Sequence, residues 1–225
     1  ISFGVFYQLF NFLKFFFYFL TNTVKAFVFI LPKKRRPGIK PEFFCEYIEI
    51  DKKRIISSTE ALALQEIPKH LMVVGGGVIG VEIGSVFARL GSKVSIVEYF
   101  DSLIATMDGA LGHQLHRSLR KQGIDFYLEH KVTNATATDG KVELKAENLS
   151  DKEEMSLESD YCLMAIGRKP YTASLGLENI GVETNEKGQV TVDKNLETNV
   201  KDVYAIGDVI RGAMLAHKAS EEGVF

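Results

Sequence analysis

A chain of 225 residues, 46% hydrophobic and 25% charged, can bury a core and is long enough for one large domain, or for one domain with part of another. Its formal net charge of −2 argues against a partner held by nucleic-acid electrostatics. The two cysteines, Cys45 and Cys162, are too few for a disulfide framework and lack metal-ligand spacing; each reads as a small buried apolar residue.

Ten of the sixteen phenylalanines fall in residues 1–31, just ahead of Lys33-Lys34-Arg35-Arg36. Three readings compete for this segment. A membrane-spanning helix with a basic cytoplasmic flank fits the apolarity, but Lys14 sits in the middle of the best window of about 20 residues. A signal peptide fits poorly, because the stretch is too long and no small-residue cleavage site follows. The third reading is non-native sequence, of the kind an AT-rich stretch yields when translated out of frame or through an intron. It agrees with a chain that starts at Ile1 rather than Met, and is the preferred one. Pro37, Gly38 and Pro41 then punctuate a connector, so residues 1–49 are expected to be a leader and linker rather than part of a domain.

Order begins at Ile50. Ser57-Ser58-Thr59 supply a cap for a short helix over 60–64, and Pro68 leads into an apolar strand, Leu71-Met72-Val73-Val74. Gly75-Gly76-Gly77-Val78-Ile79-Gly80 follows. A helical pattern comes next, with Val81, Gly84, Ser85, Ala88 and Leu90 on one face, and Gly91 ends it. A second strand, 94–97, runs into Glu98. Strand, glycine turn, helix, strand and acid together form the fingerprint of a dinucleotide site. Gly75 permits the tight turn, Gly77 lets a pyrophosphate approach the backbone, and Gly80 lets helix and strand pack closely. The helix start offers free N–H groups and a favourable dipole to the phosphates. Glu98 lies 18 residues beyond Gly80, where its carboxylate can accept from both ribose hydroxyls and would repel a 2′-phosphate. No arginine lies between Val97 and Ala110 to welcome that phosphate, so the reading is NAD rather than NADP.

Asp108 reads as the cap of a helix over about 109–122, with Leu111, Leu115 and Leu119 as its apolar stripe and His113 and His116 as surface residues. Residues 124–128 read as a third parallel strand. Alternation over 131–138, 141–147 and 154–157, with Asp139-Gly140 as a hairpin turn, predicts an antiparallel insert. The continuous apolar run 160–166 reads as a buried strand returning to the parallel sheet. It ends at Gly167, which is equally a crevice-facing or a simple turn glycine. Loops follow, with short strands expected at 189–192 and 203–208. The second strand ends in Gly207-Asp208, before a helix starting near Met214. That is half of a second nucleotide site, with Asp208 as a candidate for ligand hydroxyls; as a bland alternative it is a cap.

GGGVIGVEIGSVFARLGSKVSIVE, AIGRKPYT, NVKDVYAIGD and MLAHKASEEG, in this order over residues 50–225, resemble dihydrolipoamide dehydrogenases, a branch of the flavin disulfide reductases. The resemblance implies a Rossmann-like α/β fold with a parallel sheet and an antiparallel β insert. It places an NAD-binding domain at 50–190 and part of an incomplete FAD-binding domain at 191–225. It implies that Gly75, Gly76, Gly77, Val78, Ile79, Gly80, Val81 and Glu82 hold the NAD pyrophosphate, with Glu82 near the flavin–nicotinamide contact. Glu98 would hold the ribose, Val132 and Gly167 would line the NAD site, and Asp208, Met214, Leu215, Ala216 and His217 would contact FAD. In such enzymes a dihydrolipoyl group on a carrier protein of a 2-oxoacid dehydrogenase or glycine cleavage complex is oxidised through a redox disulfide. Electrons then pass to FAD and NAD. The sequence departs from the family in having no first FAD fingerprint, no CxxxxC pair and no His-Glu base, so no catalytic residue is assigned and no dihydrolipoamide turnover is expected of this chain alone. A whole enzyme would be a homodimer of bacterial cytoplasm or mitochondrial matrix; a membrane partner follows only if residues 1–31 are native. The alternatives are an NADH oxidase or other flavin oxidoreductase of the same fold, and a membrane-tethered NAD module without catalysis.

Overall fold

The apolar run after Pro68 forms a central strand because neighbours pair with it on both sides. The computed structural model describes residues 48–173 and 175–224, so residues 1–31 with their three readings, and Cys45, lie outside the described residues. In chain order the elements are β1 (Ile55–Ile56), α1 (Ser58–Ala61), β2 (His70–Val74), α2 (Val78–Arg89), β3 (Lys93–Val97), α3 (Gly109–Lys121) and β4 (Asp125–Tyr127). Then come β5 (His130–Thr138), β6 (Lys141–Asn148), β7 (Glu154–Ser159), β8 (Tyr161–Met164) and α4 (Ala216–Val224). Strands β1, β8, β2, β3 and β4 make a parallel sheet in that order, and β5, β6 and β7 an antiparallel one.

Because successive side chains of a strand face opposite ways, each central strand feeds two cores. Leu71, Val73, Val94, Ile96 and Leu163 pack with Val81, Ile83 and Phe87 of α2 and Leu119 of α3. Met72, Val74, Val97, Cys162 and Met164 pack with Ala135, Val142, Leu144 and Ala146 of the antiparallel sheet. Parallel strands covered on both faces read as continuous apolar runs, and these do. The β5–β6 hairpin turns at Asp139 and Gly140, both with positive φ, 51° and 80°, as the mirror-image turn requires.

Several elements differ from the sequence expectation. The short helix starts earlier, at Ser58, because Ser57 caps it and Glu60 closes a capping box. On α2 the buried stripe is Gly80, Val81, Ile83, Gly84 and Phe87, while Ser85, Ala88 and Leu90 are half-buried. Leu111 is 57% exposed, since Gly112 is the residue of that turn that faces inward: a Cβ there would lie 2.6 Å from the Leu103 carbonyl oxygen. The strands expected at 189–192 and 203–208 reduce to two isolated bridges, Thr184 with Val190 and Glu197 with Tyr204. The second apolar run is spent on a small third core, in which Ala205 and Ile210 join Val182 and Val190, and its Gly-Asp lies in a 3₁₀ turn, Gly207–Val209. Packing divides the described residues into two compact units, one ending at Arg168 and the other beginning at Lys169.

A polar cluster crosses the start of β2. The His70 N–H donates to Asp160 Oδ2 at 2.8 Å, Lys141 Nζ lies 3.1 Å from Asp160 Oδ1, and His70 Nε2 shares a hydrogen bond with Ser95 Oγ at 3.0 Å. Burial, helped by the Lys93 charge, pushes the His70 imidazole below its ordinary value. Burial pushes Asp160 up, but the His70 N–H and the Lys141 ammonium outweigh it and hold the carboxyl low. In both cases the unfolded chain binds the proton more readily, so stability rises with pH. The His70 contribution is present above about pH 6.5 and lost as pH falls through the folded value. The Asp160 contribution goes the same way below about pH 4. Urea midpoints are therefore expected to fall between pH 7.5 and 5.5, with a smaller slope in His70→Gln. An unchanged slope in that variant would remove His70 from the account.

Candidate functional site

Three neighbouring strands of the parallel sheet, β8, β2 and β3, end at the same edge. Beyond these ends lie Gly167, the glycine turn and Glu98. The chain moves one way from β2 to β3 and β4 and later returns on the other side of β2 as β8, so β2 marks the switch point where such sheets open a crevice.

Gly75 leaves β2 with φ +107°, its N–H donating to the Val97 carbonyl at 2.8 Å; a Cβ there would lie 2.5 Å from the Ala165 carbonyl oxygen. Gly80 packs more tightly still, since a Cβ would fall 2.0 Å from the Gly75 carbonyl oxygen. Gly77 is the opposite case. It is the N-cap of α2, in ordinary extended backbone (φ −72°, ψ 177°), and nothing lies within 4 Å of where its Cβ would be. No side chain caps the helix. Its first N–H groups have no partner within the helix, so an uncapped, open N-terminus is suited to an anion.

Val78 is exposed, Ile79 half-buried and Val81 buried in the core, while Glu82 is exposed on α2 just beyond its first turn. Glu98 is only 9% exposed. One carboxylate oxygen accepts the Gly76 N–H, and the other accepts the Phe100 N–H at 2.8 Å. Each oxygen keeps a further acceptor direction, so the carboxylate is held in place without being used up. The remaining polar group of Gly76, its carbonyl, accepts the Ile104 N–H at 2.9 Å. Gly76 is thus bound on both sides by the segment that follows β3. The sequence singles out Glu98 but gives no signal for Ile104, which acts through its backbone N–H.

Val132 lies in β5 where the ladder to β6 shifts register, and packs half-buried against the core that holds Val74 and Val97. Gly167 is exposed, with φ +122° and nothing within 4 Å of its Cβ position. Within the unit that starts at Lys169, Asp208 and Met214 are half-buried, Leu215 and His217 exposed and Ala216 half-buried at the start of α4. The Gly207 N–H donates to Glu222 Oε2 at 2.8 Å, which ties the Gly-Asp turn to α4. Among the described residues, no group of histidines, cysteines and carboxylates could hold a metal, and no helix is long and apolar enough to cross a membrane.

Cys162 is fully buried in β8, and burial pushes its thiol up to about 12. A thiol so placed is inert, since the thiolate is the reactive form. Iodoacetamide is expected to leave Cys162 unmodified in the native chain and to alkylate it after unfolding in guanidinium, as read by peptide mass mapping. Rapid native labelling would contradict the placement.

Residues 33–223 match the profile of the family described as pyridine nucleotide-disulphide oxidoreductase. A mitochondrial dihydrolipoyl dehydrogenase of Pisum sativum is 49% identical over 177 residues, covering 79% of this chain and 35% of that protein. A leghemoglobin reductase of Vigna unguiculata is 50% identical over 177 residues, covering 79% of this chain and 34% of that protein. The chain spans about a third of the length of these curated relatives. Among solved structures, the Cu(II) complex of the HOCl-induced flavoprotein disulfide reductase RclA from Escherichia coli superposes with a TM-score of 0.70 at 33% identity, covering 85% of this chain and 41% of that one. With most of its length matched, the chain belongs to the pyridine nucleotide-disulphide oxidoreductase family.

Proposed function

We propose that this chain is the NAD-binding portion of a dihydrolipoyl dehydrogenase. The observation that carries the reading is the open, uncapped N-terminus at Gly77 beside Glu98, on two neighbouring strand ends. These residues fit a dinucleotide. The N–H groups of Val78 and Ile79 would donate to the pyrophosphate, and the dipole of α2 favours its charge. Glu98 would accept the ribose hydroxyls on its free acceptor directions, and its negative charge disfavours a 2′-phosphate. Val132 and Gly167 would line the same site, and Glu82 would stand toward the reacting end. Bound NAD supplies a hydride acceptor; the residues named here bind and orient it.

The rest of the proposal rests on similarity to relatives over a third of their length. In the whole enzyme, Asp208, Met214, Leu215, Ala216 and His217 would contact FAD, and a lipoyl carrier protein of a 2-oxoacid dehydrogenase or glycine cleavage complex would be the partner. No CxxxxC pair occurs among the 225 residues, and Cys162 is inert, so the disulfide step is not assigned to any residue of this sequence.

Calorimetric titration of the purified chain with NADH and with NADPH tests the reading. NADH is expected to bind at least about tenfold more tightly, a difference of about 1.4 kcal/mol. Equal affinities would remove Glu98 as the discriminating acid, and binding of neither would end the dinucleotide reading.

A further inference from the structure

Resting on the dinucleotide reading, the geometry points to Ile104 as a positioning residue for the cofactor, acting through its backbone on Gly76. Three observations meet there. First, both backbone polar groups of Gly76 are satisfied by the segment between β3 and α3: Glu98 takes the N–H, and the Ile104 N–H donates to the carbonyl at 2.9 Å. Second, Ile104 reaches that carbonyl in the left-handed region, with φ +45°, a conformation a β-branched residue adopts only under constraint. Third, the constraint is visible. The Ile104 side chain is buried in the core, the Leu103 side chain stands 2.7 Å from where a Gly76 Cβ would be, and α3 closes over the Leu103 carbonyl through Gly112.

Gly76 is therefore not a donor to the pyrophosphate. Its N–H is spent on Glu98, and the donating groups begin beyond it, at the helix start. The same segment that fixes the ribose acceptor also fixes the turn before the phosphate donors. Glu98 and the start of α2 are held at one spacing by a brace of two hydrogen bonds on a single residue, Gly76, and Ile104 supplies one of them. A preset distance between acceptor and donors lowers the ordering cost of binding an extended ligand.

The test uses the 225-residue chain and NADH. Ile104→Pro deletes the N–H and forbids a positive φ, whereas Ile104→Gly keeps the N–H and accepts that φ at the loss of a buried side chain. The proline variant is expected to bind NADH about tenfold more weakly than the native chain, and the glycine variant to stay within about threefold while losing thermal stability. A merely structural role would lower stability in both and affinity in neither. Hydrogen exchange supplies a second reading that needs no variant: if ligand and brace are coupled, saturating NADH must slow exchange of the Ile104 amide. The inference is overturned if a folded Ile104→Pro binds NADH as the native chain does, or if Ile104 exchange is unchanged by NADH. If the proline variant does not fold, the exchange result alone decides. Failure of the native chain to bind NADH would be a different result, since it removes the dinucleotide reading itself.

Discussion

Gly77→Asp is expected to raise the thermal midpoint of the chain and to abolish NADH binding. The two effects have one cause. Gly77 is the N-cap of α2, in backbone that any residue can adopt, and its missing Cβ faces open space. Aspartate there meets no steric obstacle. Its carboxylate would accept an N–H of the first turn and sit favourably on the helix dipole, which together stabilise by about 0.5–1 kcal/mol. For a chain of this size that moves the midpoint by about 1–4 °C. Yet the N–H group it satisfies is one the pyrophosphate would use, and the new charge stands where two phosphates would come. Like-charge juxtaposition costs several kcal/mol, so affinity is expected to fall by about a hundredfold or more. Scanning calorimetry and NADH titration on the same preparation read both effects. A variant that gains stability and keeps its NADH affinity would show that the helix start is not the phosphate site. The case also explains why an uncapped glycine persists there: the better cap is incompatible with the ligand.

What was legible in the sequence was whatever a side chain, or its absence, announces. The glycines at 75, 77 and 80, the flanking apolar runs and the acid at 98 each carry a property visible in one letter, and the structure puts all of them at one edge of the sheet. The period-two alternation likewise gave the antiparallel insert and its turn. What escaped was set by contacts between distant backbones. Ile104 has no letter that says left-handed, and its bond to Gly76 joins backbone groups far apart in the chain, in a segment whose Leu103 carbonyl lies close under Gly112 of α3. Leu111 carries the right letter for a core position but loses it to Gly112, since the space beneath that turn is already filled by the Leu103 carbonyl. The apolar run at 203–206 has strand composition, but among the described residues its ladder reduces to the single bridge to Glu197.

Gly80→Ala is expected to destabilise the chain by about 3 kcal/mol or more, against the ordinary preference of helices for alanine. In an unobstructed helix interior this change would stabilise by up to about 1 kcal/mol, because alanine is the better helix former. Here the added Cβ would stand 2.0 Å from the Gly75 carbonyl oxygen and 3.2 Å from Val73 Cγ1. Neither neighbour can swing aside cheaply. The carbonyl belongs to a residue held at φ +107° whose N–H is bonded to Val97, and Val73 lies in the middle of the central strand. Relief must come from moving α2 off the sheet, which opens the core formed by Val81, Ile83 and Phe87. A loss of this size is a large fraction of a domain's net stability and corresponds to a midpoint lower by about 6–12 °C. Gly91→Ala is the matching control: it also adds a Cβ, but into open space, at φ +100°, so it incurs backbone strain of about 1–2 kcal/mol without a clash. Thermal melts of both variants separate the two costs. If Gly80→Ala melts at or above the native temperature, the close crossing of helix and strand is not what requires glycine at that position, and the glycine turn would need another explanation.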